Sequence, residues 1–324
     1  MSAGLKQLAG IALFAVLVGC VPFVTTSGVT LNFVMMALYA TLIAQAWNIL
    51  GGFGGQFSFG HALFFGTGAY IQAIAQLQGG INAWVALPLA IVGAALVGLF
   101  MGALTFRYGL KGSYFALVTL AFAEVFRILA LSATFTSGGV GMMLPLKESI
   151  ANLQFGSRKG YVAWMLACVV VALLVTAWLR HSRFGARLQA VRDNEDAARA
   201  VGVDPYRTKL AATVASAALM GAAGAFYLHV FQYIDPAIAF GPHVSVEALV
   251  GAIVGGMGTL WGPVLGAAVL HALGEATRNL FGQLPGLNLV IYGCVLVGIV
   301  LFMPRGLAGL GPTLRARWRR DGRG

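Results

Sequence analysis

Three groups of residues in this chain could do chemistry. The densest is Ser182 to Lys209, SRFGARLQAVRDNEDAARAVGVDPYRTK, where Arg183, Arg187, Arg192, Arg199, Arg207 and Lys209 stand against Asp193, Glu195, Asp196 and Asp204. A second is Glu124 with Arg127, three apart in an apolar run. They share one helix face and can neutralise each other, either as a structural pair or as a contact for a polar solute. The third is the glycine-rich turn Gly51 to Gly60 with Gln56, Ser58 and His61, where helices can break and line or gate a pathway, or simply pack closely. None of these is hydrolytic machinery, because no nucleophile, metal triad or acid pair is clustered. His61, His229, His243 and His271 have no metal-ligand spacing, and His271 with Glu275 alone supplies too few ligands. The chain is therefore not read as an enzyme.

The elements that must position these groups are membrane helices. Hydrophobic residues are 59% and charged residues 10% of 324 positions, more apolar surface than one globular core requires. Between Gln7 and Phe106 there is no Asp, Glu, Lys or Arg, room for several helices of roughly 20 residues. Apolar segments fall at 7–25, 30–50, 58–78, 82–106, 112–132, 160–180, 209–232, 244–258, 262–281 and 287–303. The expectation is an all-α integral membrane protein of about ten transmembrane helices, a single domain over 1–324. Most of the formal charge of +11 sits in the loop 181–209 and the tail 304–324. That placement beside spans indicates cytoplasmic anchoring next to lipid, not a nucleic-acid partner. Cys20, Cys168 and Cys294 lie in apolar runs, where a thiol behaves as a small hydrophobe. Leu17-Val18-Gly19-Cys20 imitates a lipoprotein signal, but a first transmembrane helix explains the same residues.

Parity orders the crossings. If the loop 181–209 and the basic tail are both cytoplasmic, an even number of crossings separates them, so 244–281 crosses twice, turning at Gly255 to Pro263. Six crossings precede the loop, which places Lys6, Arg107 and Lys111 inside and the connection from about Ser132 to Lys159 outside. Gly52-Phe53-Gly54 with Gly60 is echoed by Gly256-Met257-Gly258 with Gly262, and parity puts both turns on the cytoplasmic side.

Within the loop, Leu188, Val191, Ala198 and Val201 fall near one helix face. Asp193 or Asn194 can cap a second helix and Gly202 can end it in a left-handed conformation. Helix, break, helix, glycine stop is the expected order. It suits either a docking module or a solvated anchor loop.

Asp196-Ala197-Ala198-Arg199-Ala200-Val201-Gly202 resembles the EAA-xxx-G cytoplasmic loop of ABC import permeases, with Asp in place of the usual Glu. The resemblance extends along the chain through WNILGGFGGQFSFGHALFFGTGAY (47–70), LKGSYFALVTLAFAEVFR (110–127), GGMGTLWGPVLGA (255–267) and MPRGLAGL (303–310). These segments are similar to the permease subunits of the high-affinity branched-chain amino acid (Liv-type) importers, and to the second of their two unlike permeases. The resemblance implies a bacterial inner-membrane subunit with cytoplasmic termini. Its partners would be a homologous permease, two nucleotide-binding ATPase subunits and an extracytoplasmic solute-binding protein. ATP and Mg²⁺ would be bound by the partners, in keeping with a sequence that lacks a GxxxxGK[ST] loop. Asp196, Ala197, Ala198 and Gly202 carry over from the motif as the ATPase-coupling segment, and Arg192, Glu195 and Arg199 are added as polar contacts. The solute would be a branched-chain amino acid or a related small amino acid or amide. A stand-alone secondary transporter or channel is the alternative, although a proton-coupled route needs more acidic groups at mid-depth than Glu124 and Glu247.

Overall fold

The computed structural model describes residues 3–281 and 306–309, with a few positions between 290 and 301. Its first helices are α1 (Ala3–Val24), α2 (Gly28–Trp47), α3 (His61–Leu77), α4 (Ala83–Arg107), α5 (Gly112–Ser132) and α6 (Arg158–His181). They are followed by α7 (Arg183–Asp193), α8 (Glu195–Ala200), α9 (Pro205–Phe231), α10 (Pro236–Phe240), α11 (Pro242–Gly255) and α12 (Gly262–Phe281).

Among the described residues, seven stretches are long and apolar enough to cross a membrane: α1, α2 with its continuation to Phe53, α4, α5, α6, α9, and α10 with α11. Three of the ten expected segments depart from that pattern within the described residues, each for a physical reason. The segment 58–78 becomes a shorter helix, because 54–60 is non-helical and α3 has only 17 residues. The segment 244–258 starts earlier, at Pro236, and is interrupted at Gly241. Helix α12 carries His271 at its middle and Glu275 and Arg278 in its second half, which lowers its apolar character. The segment 287–303 and the basic tail lie largely outside the described residues.

Helix α2 is the axis of the bundle, packed by α6, α9, α11 and α12, and its lower half is buried on all sides. Helix α9 packs along α3 and α4. Small residues permit this approach: a Cβ at Gly68 would strike the backbone of Gly221, and one at Gly98 would lie 2.5 Å from the Ala217 methyl. By contrast, α1 and α5 turn Leu13, Leu17, Leu117, Ile128 and Leu129 outward, apolar surface suited to lipid or to another membrane subunit.

Two features depart from uniform helix. Residues Asn48–Phe53 wind as a π-helix, a widened turn where α2 ends. On the opposite side of the bundle, β1 (Met142–Met143) pairs antiparallel with β2 (Tyr233–Ile234), in the register Met142 with Ile234 and Met143 with Tyr233. This ladder fastens the long connection after α5 to the end of α9. No periodicity announces strands of two residues.

Candidate coupling surface and polar sites

The loop between α6 and α9 folds as helix, break, helix, glycine stop. Ser182 caps α7, its hydroxyl accepting from the Gly185 amide at 3.0 Å. Asn194 caps α8, its Oδ1 accepting from the amides of Asp196 (3.1 Å) and Ala197 (3.0 Å). Both satisfy amides that a helix start leaves unpaired. Asp193 instead closes α7 and pairs with Arg192 at 3.0 Å. Helix α8 ends as the Val203 amide bonds back to the Ala198 carbonyl at 3.0 Å, with Gly202 at φ +85°, a conformation that favours glycine. Leu188, Val191 and Ala198 are buried as their spacing predicts, but Val201 is 78% exposed. The glycine stop turns the chain just there and takes Val201 off the buried face.

The charged residues divide into those that anchor the loop and those that face out. Glu195 is turned inward. Its carboxylate accepts from Lys209 Nζ at 2.8 Å and lies 3.1 Å from Lys111 Nζ and 3.4 Å from Arg199 Nη2. Lys209 belongs to α9, is 5% exposed at its side chain, and sits 5.5 Å from the centre of the Phe106 ring. One carboxylate thus joins α8, α9 and the turn between α4 and α5. Burial pushes the Glu195 carboxyl upward, but hydrogen bonds from Lys209 and Lys111 outweigh it and hold the group below the ordinary carboxylate value.

Arg192 reaches the two glycine-rich turns. Its Nη1 donates to the Gly52 carbonyl at 3.1 Å and its stem packs against Gly55, which has φ +66°. The turns themselves meet through Asn48, which accepts from the Gly258 amide at 2.7 Å and donates to the Thr259 carbonyl at 3.0 Å. Gln45 donates to the Leu260 carbonyl at 2.7 Å. The two glycine segments that echo each other in sequence are therefore joined in space beside α7. Asp196, Ala197, Arg199, Val201 and Gly202 remain on the outer surface.

Behind the glycine turn, His61 and Ser58 lie in a closed network, both fully buried. Ser216 Oγ donates to the Ala46 carbonyl at 2.6 Å, so it accepts from His61 Nε2 at 2.9 Å. That fixes Nδ1 as the acceptor from Ser58 Oγ at 3.2 Å. Trp47 Nε1 donates to the Ser58 carbonyl at 2.9 Å. Gln56 donates to the Gly54 carbonyl at 3.2 Å, and its Oε1 has no partner. Sequence reasoning missed Asn48, Gln45, Ser216 and also Ser245, whose hydroxyl accepts from the Ala62 amide at 2.8 Å; the available signal is a lone amide or hydroxyl in an apolar helix, where an unpaired polar group costs about 2–7 kcal/mol by transfer scales.

Glu124 and Arg127 pair as expected, with Nε to Oε2 at 2.8 Å and Nη2 to Oε1 at 2.6 Å. The pair is half exposed on the outward face of α5, away from the network at His61. Among the described residues no group of three His, Cys, Asp or Glu could hold a metal ion.

The family model described as branched-chain amino acid transport system / permease component matches residues 29–300. The chain is 28% identical to the high-affinity branched-chain amino acid transport system permease protein LivM of Escherichia coli K12, over 93% of this chain and 75% of that protein. LivM of Salmonella typhimurium is 29% identical over 88% of this chain and 71% of the relative. The corresponding LivH protein of Salmonella typhimurium is 24% identical over 87% of this chain and 94% of its own length. The family match spans α2 to α12 and includes both glycine turns and the α7–α8 loop, so this chain belongs to the family of branched-chain amino acid transport system permease components.

Proposed function

We propose that the chain is one of two unlike permease subunits of an ATP-binding cassette importer, carrying branched-chain amino acids or closely related small amino acids or amides. Its partners in this reading are a homologous permease, two ATPase subunits that bind ATP with Mg²⁺, and an extracytoplasmic binding protein. It sits in the bacterial inner membrane with both termini and the α7–α8 loop cytoplasmic. The carrying observation is that α8 and its glycine stop present Asp196, Arg199, Val201 and Gly202 outward, while Glu195 fastens α8 to α9 and Arg192 fastens α7 to the Gly52 turn. A module so held can be pressed by an ATPase and pass the displacement to the bundle. Nothing in this division asks the chain to hydrolyse a nucleotide.

Reconstitution tests the reading. Vesicles holding the chain, its partner permease and the ATPases should import leucine only with ATP and binding protein. Cysteine labelling should find position 193 inside and position 156 outside. Uptake by this chain alone under a proton or sodium gradient would identify a secondary transporter instead.

A further inference from the structure

We infer that a charged cleft along α12 is a solute-binding site for a zwitterion with an apolar side chain, an assignment that rests on the permease reading and adds to it where the solute is held. Two cavities share α12 as a wall. The outer, about 710 Å³, lies among the starts of α2 and α6, the end of α9, and α12. These helix ends are opposite the α7–α8 loop, so the cavity opens on the far side of the membrane from the coupling surface. The inner, about 150 Å³, continues deeper to Glu247 on α11. His271, Glu275 and Arg278 line both, so the two adjoin along α12.

The chemistry of the walls selects the ligand. Glu247 lies near the middle of the 236–255 span and forms no hydrogen bond or ion pair among the described residues. A carboxylate at such depth is costly without a counter-charge, and the ammonium of a passing solute supplies one. Glu275 and Arg278 are only loosely engaged, at 3.7 Å, against 2.8 Å for Lys209 with Glu195. Arg278 is therefore free to exchange its partner for a solute carboxylate, and Arg158 lies across the outer cavity. Met35 and Met36 add apolar, adaptable surface beside these charges. An anion would leave Glu247 unmatched, and a dication would meet two arginines. A zwitterion matches both signs in order, and its apolar side chain fits the methionine wall.

The test uses the complete transporter in proteoliposomes, with leucine as the probe. Gly274 lines the inner cavity, and a Cβ there meets no atom within 4 Å, so Gly274→Cys introduces a reporter without a clash. With the native cysteines replaced, a water-soluble thiol reagent added from outside should label position 274, and saturating leucine with binding protein should slow labelling at least fivefold. Glu247→Gln should lower leucine uptake at least tenfold, with Glu247→Asp partly restoring it. Labelling unaffected by leucine, or a position 274 inert in a transporter that imports leucine, overturns the site. A wild-type complex that hydrolyses ATP without importing leucine refutes the transport reading instead, and the protection arm still decides whether leucine occupies the cleft.

Discussion

Replacing Glu195 with Gln removes the carboxylate that serves Lys209, Lys111 and Arg199 together. Lys111 and Arg199 are 55% and 63% exposed at their side chains, and surface pairs of that kind contribute at most about 1 kcal/mol. Lys209 is different, because its ammonium is buried and keeps only the Phe106 ring face. Breaking a fully buried pair from one side costs about 3–5 kcal/mol. Glu195 is itself partly exposed, at 16%, which brings the expected loss to about 2–3 kcal/mol. The double variant Glu195→Gln with Lys209→Met should be less damaged than the sum of the singles, by about 2 kcal/mol. Unfolding of the purified chain in mixed detergent micelles gives the energies, and proteolysis within 193–204 reports whether α8 is released. The pH dependence has a definite sign. The folded Glu195 carboxyl lies below its ordinary value, so its contribution is complete above the ordinary carboxylate range and is lost as pH falls through the lowered value. That acid limb should be missing in Glu195→Gln. Single losses that simply add, with the acid limb unchanged, would refute the buried-pair account.

Three further outcomes are expected. Arg192→Ala loses the bond to the Gly52 carbonyl and should reduce ATP-driven uptake about tenfold, equivalent to about 1.4 kcal/mol of lost coupling, with Arg192→Lys intermediate. Gly202→Val should impair coupling through backbone strain of about 1–2 kcal/mol, since no atom crowds a Cβ there; Gly202→Asn should be milder, as read by uptake. Ser216→Ala leaves the buried Nε2 hydrogen of His61 unpaired and should destabilise the chain by about 1–3 kcal/mol in the same unfolding assay.

Much of the architecture is legible in the sequence because membrane spans announce themselves by length and lack of charge. The loop is legible too, since capping residues and a glycine stop act locally: Asn194 and Gly202 do what their types prescribe. What the sequence does not reveal is direction. Glu195 and Asp196 are adjacent acids on one short helix, yet Glu195 turns into the bundle and Asp196 out of it. That choice depends on Lys209 and Lys111, which arrive from elsewhere in the chain. For the same reason the glycine echo gains its meaning only in space, where Asn48 bridges the two turns. Helix α3 is misjudged by three residues at its start because Gly54 to Gly60 is apolar enough to extend a span but is held open by hydrogen bonds to Trp47 and Thr119.

Helix α9 is clamped at both extremities. Lys209 ties its first turns to α8, and the ladder between β1 and β2 ties the strand following it to the long connection after α5. Its 27 residues span about 40 Å, the full thickness of a bilayer with its headgroups. Such an element behaves as a tie-rod: a displacement at the α8 surface must either stretch the rod, which a continuous helix resists, or move the far connection with it. The two faces of the protein are thereby in mechanical register, and no relay of individual side chains across the bilayer is required.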